Sequence, residues 1–414
     1  MGIFESNARY GARYDQCEIV MTMLTLKEIK LDDQRVLIRV DLNVPLQEGK
    51  ILNDFRIRAI LPTLEYCLKK NARIILISHL GRPAEGEYTA AFSLKPIAVR
   101  LAELIKQPVR FVPDWLGGVA VAKKEIVLCE NVRFNLGEEK NDAKLAKRMA
   151  ALCDVFVMDA FATAHRAQAS TVGVAQFAPI VVAGPLLIAE LNALHHVLDN
   201  PKRPLVAIVG GSKVSGKLQI LKTLIPRVDT LIVGGGIANT FLAAIGQPIG
   251  DSLHEPSLIP VAKELIEFAR GRGVNVIMPS DAIVATGLLE TDFKHPIIHF
   301  RDIKKNEKIF DVGKATSRAY EAILQKAGTI IWNGPIGIFE MDAFGEGTRA
   351  LAKAIAASSA YALAGGGETL AAIEKYGVYK DISYVSTGGG AFLEYIEGRV
   401  LPAVAILEER AKKR

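Results

Sequence analysis

Residues 205–218 read LVAIVGGSKVSGKL: an apolar run, two glycines, then a polar stretch with two lysines. A short apolar run closed by glycine reads as a buried strand ending in a tight turn. The same plan recurs in TLIVGGGIAN (230–239), AYALAGGGET (360–369) and ISYVSTGGGAF (382–392), each followed by a helical pattern. Strands alternating with helical segments form parallel sheets through crossover connections, so the fold class is α/β.

Toward the N-terminus the alternation continues, but the strand ends change chemistry. VLIRVDLN ends at Asp41 and Asn43, IILISHLGR at His79 and Arg82, IVLCENVRF at Asn131 and Arg133, and VFVMDAFATAHR at Asp159, His165 and Arg166. Ligands of open α/β sheets bind outside the carboxyl ends of the strands, so these groups are expected to share one rim. Asp41 and Asn43 flank Leu42 in what reads as strand, where polar groups are more often functional or capping than core. Glycine lets backbone come close to a ligand, and a helix N-terminus presents free N–H groups, so the later half suits a polyphosphate. A small polyanion held by side-chain cations and a nucleotide held largely by backbone point to phosphoryl transfer across a cleft.

Between the two kinds of strand end lies LLIAELNALHHVL followed by DNPKRP, a helical pattern and its stop. The expected organisation is two doubly wound parallel-sheet domains joined by this helix. An N-terminal extension over 1–22, expected to be disordered, would precede a domain over 23–183. A hinge over 184–204, a second domain over 205–389 and a returning segment over 390–414 would follow.

The chain has 414 residues, is 50% hydrophobic and carries a formal charge of +6, which allows large cores and makes anion binding plausible. Aromatics are only 7% and basic runs are short, which argues against a nucleic-acid surface. Cys17, Cys67, Cys129 and Cys153 form no CxxC pair and stand near no suitably spaced histidine. No zinc site or disulfide framework is expected, and a reducing cytoplasm fits. The most apolar stretch, Pro179 to Ala189, is broken by Gly184 and Pro185 and falls short of the roughly 20 residues a membrane helix needs. The first 22 residues contain Arg9, Arg13, Asp15 and Glu18 and no continuous apolar segment, unlike a secretory signal.

GSKVSGK (211–217) has the GxxxxGK spacing of a phosphate-binding loop, yet Leu218 stands where Ser or Thr should reach Mg²⁺. No strand ending in a matching acid follows. If the segment is helical, Lys213 and Lys217 share a face. The glycine triplets also fail the dinucleotide fingerprint, with Asn239, Leu370 and Leu393 at the closing positions. A lone histidine is usually an ordinary hydrogen-bonding residue, but His79 and His165 each stand near an arginine at a strand end. Arg56 and Arg58, in NDFRIRA, read as surface on their own terms.

In this order, RVDLNVP, SHLGRP, ENVRF, DAFATAHR, GGSKVSGK, GGGIANTFL, WNGPIGIFE, GGGETLAAI and STGGGAFLE resemble the phosphoglycerate kinase family over essentially everything after residue 23. The resemblance implies a kinase that moves a phosphoryl group reversibly between 1,3-bisphosphoglycerate and ADP, giving 3-phosphoglycerate and ATP, in glycolysis and gluconeogenesis. Its 3-phosphoglycerate side would comprise Asp41, Asn43, Arg56, His79, Arg82, Arg133, His165 and Arg166. On the nucleotide side the resemblance places Lys213 at the transferring group, with Lys217, Gly235, Gly236, Asn333, Pro335, Glu340, Gly366, Gly367, Glu368 and Thr369. Arg56 and Lys213 would be catalytic, Glu368 would take the Mg²⁺ that accompanies the nucleotide, and the protein would be a monomer. Three positions depart from the family pattern: Ala162 and Glu368, where Gly and Asp are usual, and Lys314, where Pro is common. The longer Glu368 side chain leaves direct or water-mediated metal contact open. A nucleotide hydrolase without an acidic co-substrate, and a binding protein without turnover, are the alternatives.

Overall fold

Apolar runs that stay buried on both faces belong in parallel sheets covered by helices, and the computed structural model, which describes residues 23–287 and 296–413, is built this way. The segment 1–22, with Cys17 and the expectation of disorder, lies outside the described residues. The chain divides into two compact units: 23–192 with 399–413, and 193–398.

In the first unit six parallel strands run in the order Val109–Val112, Ile126–Cys129, Arg73–Ile77, Arg35–Val40, Val155–Asp159, Ile180–Ala183. Val36, Ile38, Ile74, Leu76, Ile126, Leu128, Val155 and Val157 form one core with Leu64, Ile97 and Leu101 from covering helices. Register levels the strand ends: Arg39 pairs with Ile77 on one side and Met158 on the other, and Val40 with Asp159. Everything that follows these residues therefore emerges on one rim. The strand stops at Val40, so Asp41 and Asn43 lie just beyond it and not within it. The terminal helix Pro402–Lys412 belongs to this unit, with Ala403 N–H donating to Ala164 O at 3.0 Å and Arg410 to Ala178 O at 2.8 Å.

The second unit repeats the plan in the order Asn275–Ile277, Thr230–Val233, Leu205–Val209, Thr329–Asn333, Tyr361–Ala364, Tyr384–Val385. Val209 pairs with Val233 and Asn333, and Ala364 with Trp332 and Val385, which brings the glycine turns level. An antiparallel sheet of Ile297–His299, Asp281–Ala285 and Lys308–Val312 is added beside it.

Helix Pro185–Leu198 carries the chain from one unit to the other, within the segment expected to connect them. The second passage falls at 398/399 and not at 389/390. Helix Gly390–Ile396 stays with the second unit because Phe392 fills the space above Gly365, where a Cβ would lie 2.7 Å from its ring, and Glu397 O faces the Thr223 hydroxyl.

Candidate functional site

The rim of the first unit gathers four arginines, Arg56, Arg82, Arg133 and Arg166. Arg56 enters from helix Phe55–Ala59, and its Nη1 donates to Asn43 O at 2.9 Å and pairs with Asp41 Oδ2 at 3.1 Å. Asn43 in turn accepts from Gly81 N–H at 2.9 Å, and Asp41 Oδ1 from Asn43 N–H at 2.9 Å, so the turn after each strand braces its neighbour. Arg133 is buried and donates through Nη1 to Gly81 O, while its Nε and Nη2 have no protein partner. Arg166 is half-buried with Nε 3.3 Å from His165 Nε2, and Arg82 is exposed.

A buried guanidinium with orphan donors is costly unless an acceptor arrives. Arg133 is therefore the clearest sign in the unit of an anion site. The electrostatics agree. Burial pushes the Arg133 pKa down, and Arg166 pushes it further. His79 is pushed well below its ordinary value by burial, then by Arg39, Arg133, Arg166 and Arg56. A neutral histidine amid like charges describes a cradle that gains from a bound polyanion.

Sequence reasoning missed Arg39, Glu138 and Ser170, all fully buried beneath this rim. Arg39 Nε donates to Ser170 Oγ at 3.0 Å, and Glu138 accepts both the hydroxyl and the N–H of Ser170, at 2.5 and 3.0 Å. A charge in the middle of VLIRV was the available signal for Arg39; Glu138 and Ser170 lie in polar stretches with nothing to single them out.

Two rim residues proved structural. Asp159 is buried and caps helix Pro185–Leu198, its Oδ1 accepting from Leu186 and Leu187 N–H at 2.8 and 3.1 Å and its Oδ2 from the Thr63 hydroxyl at 2.5 Å. Asn131 spends its amide on Leu80 O and Phe92 O at 2.8 and 2.9 Å and its oxygen on Arg133 N–H at 3.1 Å. Both positions need a polar group to hold main chain, which looks in sequence like a ligand-binding residue.

In the second unit, 211–217 is not helical; the helix begins at Leu218, with Lys217 as its N-cap residue. Lys213 is exposed on this loop, while Lys217 turns inward to Asn333, donating to its main-chain oxygen at 3.2 Å and to its side-chain oxygen. The Ser215 N–H and hydroxyl close on Glu255 at 2.8 and 2.6 Å, pinning the loop. Most glycines here permit protein to approach protein. A Cβ on Gly236 would lie 2.2 Å from Ser212 O, and one on Gly210 would lie 1.9 Å from Pro335 O. Gly366 has φ +104°, a left-handed backbone that L side chains avoid. Gly367 alone among the proposed site glycines has open space before it, at the N-terminus of helix Gly367–Lys375.

Thr369 is buried, its hydroxyl accepting from Gly334 N–H at 2.8 Å and donating to Gly365 O at 2.9 Å. It binds one strand-end turn to the next. Glu340 and Glu368 are exposed, and Glu368 stands in the first turn of its helix near Gly211. No cluster of three or more His, Cys, Asp or Glu able to hold a metal occurs among the described residues. Mg²⁺ usually takes one or two carboxylates and completes its octahedron with phosphate and water, so a single free carboxylate beside a helix N-terminus fits a metal that arrives with a nucleotide. Among the described residues no helix is long and apolar enough to cross a membrane.

Residues 26–399 match the family model described as phosphoglycerate kinase. Among solved structures, the phosphoglycerate kinase from Coxiella burnetii is 53% identical, with a TM-score of 0.88 over 94% of this chain and 100% of that one. The phosphoglycerate kinase from Pyrococcus horikoshii OT3 is 32% identical, with a TM-score of 0.82 over the same shares.

Proposed function

The chain belongs to the phosphoglycerate kinase family and is an enzyme of that kind, and from this premise we propose that it transfers a phosphoryl group reversibly from 1,3-bisphosphoglycerate to MgADP, giving 3-phosphoglycerate and MgATP. The observation that carries the assignment of the acid to the first unit is buried Arg133, with two donors left for a ligand.

On this reading Asp41, Asn43, Arg56, His79, Arg82, Arg133, His165 and Arg166 take the acid. Lys213, Lys217, Gly235, Gly236, Asn333, Pro335, Glu340, Gly366, Gly367, Glu368 and Thr369 take the nucleotide. Thr369 does so with its N–H, since its hydroxyl is used within the protein. The two units thus carry one ligand each, around the 184–204 hinge, with the segment from residue 399 onward returning to the first.

Phosphoryl transfer asks the protein for positioning and for charge where the equatorial oxygens develop it. Arg56 and Lys213 supply that charge in a direct in-line transfer with no covalent enzyme intermediate. Glu368 would hold the magnesium that accompanies the nucleotide, and the ion would supply neutralisation of the phosphate oxygens. With one ligand on each domain, transfer follows hinge closure, which excludes water from the acyl phosphate. The enzyme works as a cytoplasmic monomer without nucleic acid.

The test is ATP formation from ADP and 1,3-bisphosphoglycerate, expected to be abolished by Arg133→Ala or Lys217→Ala. ATP hydrolysis without the acid, or binding of both ligands without turnover, would replace this reading.

A further inference from the structure

We propose that Glu138, Ser170 and Arg39 form a buried relay that sets the tautomer of His79, leaving Nδ1 as an acceptor and placing the ring proton on Nε2. The inference rests on the reading of this rim as the acid-binding site and assigns Arg39 a positioning role behind it.

Glu138 anchors the relay. Its two oxygens accept from the hydroxyl and the N–H of Ser170. With the hydroxyl proton committed to Glu138, Ser170 Oγ has only lone pairs to offer, and Arg39 Nε donates to them at 3.0 Å. Arg39 Nη1 donates to Val40 O at 2.5 Å. A planar guanidinium fixed at two edges has no freedom left in its third. That third edge, Nη2, lies 3.3 Å from His79 Nδ1.

Arginine donates and never accepts, so a proton on Nδ1 would oppose N–H to N–H. The competing acceptor is Asp41 Oδ1, 3.9 Å from Nδ1, beyond hydrogen-bond reach and already taken by Asn43 N–H. His79 is also faced by Arg56, Arg133 and Arg166, which with burial oppose a second proton on the ring. Burial pushes the Arg39 pKa down and the Glu138 pKa up, and each charge opposes that shift in the other, so Glu138 is the buried counter-charge that Arg39 requires. Ser170 reaches it because Ala169–Gly173 winds as a π-turn, with Gly173 N–H bonded to Gln168 O at 3.1 Å. Such single π-turns are frequent at functional sites. The result is an uncharged histidine whose free N–H donates, which suits an anionic substrate and needs no protonation step.

Imidazole ¹⁵N spectra of the ligand-free protein, with His79 assigned by its loss in His79→Asn, test this directly. The expected pattern is an unprotonated Nδ1 and a protonated Nε2, unchanged from about pH 6 to 8, since a free histidine would titrate near 6.5. A protonated Nδ1 or a cationic ring in the wild type would overturn the proposal. In Arg39→Met and in Ser170→Ala, His79 should take up the Nδ1–H form toward Asp41, and Arg39→Lys should restore the wild-type pattern. Persistence of Nε2–H in both of the first two variants would equally sink it. In the forward assay KM for 1,3-bisphosphoglycerate should rise about tenfold in Ser170→Ala with kcat within about twofold, the scale of one misdirected hydrogen bond to a charged group. Because the spectra need no turnover, a wild type with the expected tautomer but no ATP formation would refute the proposed reaction and leave the relay standing.

Discussion

The ammonium of Lys217 donates to the main-chain oxygen of Asn333 at 3.2 Å, tying the loop after one strand of the second unit to the end of the adjacent strand. Burial brings its pKa down to about 8, with Glu368 pulling the other way. Nucleotide phosphates favour the charged form, so affinity is full below that pKa and is lost as pH rises through it. Titration calorimetry of ADP should show weakening above about pH 8. Lys217→Arg, charged throughout, should flatten the profile; a flat wild-type profile would refute the assignment.

Arg56 reaches the rim from its own short helix and is held by Asp41 and Asn43. Arg56→Ala and Lys213→Ala should each lower kcat by at least roughly 100-fold at saturating substrates, the scale of one preorganised charge contact. Near-normal kcat in either variant removes that residue from the chemistry.

Gly236 sits in the first turn of helix Gly235–Ala244, where alanine would ordinarily stabilise. A Cβ there would meet Ser212 O at 2.2 Å and Ser212 C at 2.9 Å, both main chain. Gly236→Ala should therefore destabilise, by about 1–3 kcal/mol, the usual cost of overpacking. Urea unfolding followed by Trp332 fluorescence gives the sign, and a gain in stability would show that the loop yields freely.

The Thr369 hydroxyl holds Gly334 and Gly365 together. Thr369→Val leaves one N–H and one carbonyl without that partner and should cost about 1–3 kcal/mol. KM for ADP should rise while affinity for 3-phosphoglycerate, measured by calorimetry, stays as it was. An equal loss for both ligands would point to general unfolding.

Asp311 is buried, with Oδ2 accepting from Gly347 N–H at 2.7 Å and Oδ1 unpartnered. Burial raises its pKa from 3.8 to about 7, and Glu346 adds to the rise. A pKa raised by folding means the folded state holds the proton longer, so this group's contribution is complete below its unfolded pKa and disappears as pH climbs through about 7. The urea midpoint of Asp311→Asn should fall less between about pH 4 and 7 than that of the wild type. Parallel profiles would contradict the assignment.

Strand ends were the most legible part of the sequence because a parallel sheet needs continuous apolar runs, and a break in such a run marks its edge. Reading what each edge residue does was harder. Asp159 and Asn131 carry the same functional groups as Asp41 and Asn43, but tertiary neighbours, a helix start and two carbonyls, consume them. Gly236 and Gly210 looked like room for a ligand, and the room is filled by main chain from another turn. Arg39, Glu138 and Ser170 depend on contacts between segments far apart in the chain, which local pattern does not encode.

Residues 399–413 complete a unit begun before residue 193, and 193–398 lie between the two parts as an insertion. During synthesis the inserted unit is therefore whole before its host can be. The host's Ala178 and Ala164 carbonyls wait for Arg410 and Ala403, which are made after all of 193–398. The unit begun second thus has all its residues joined first, at a point where its host still lacks helix Pro402–Lys412.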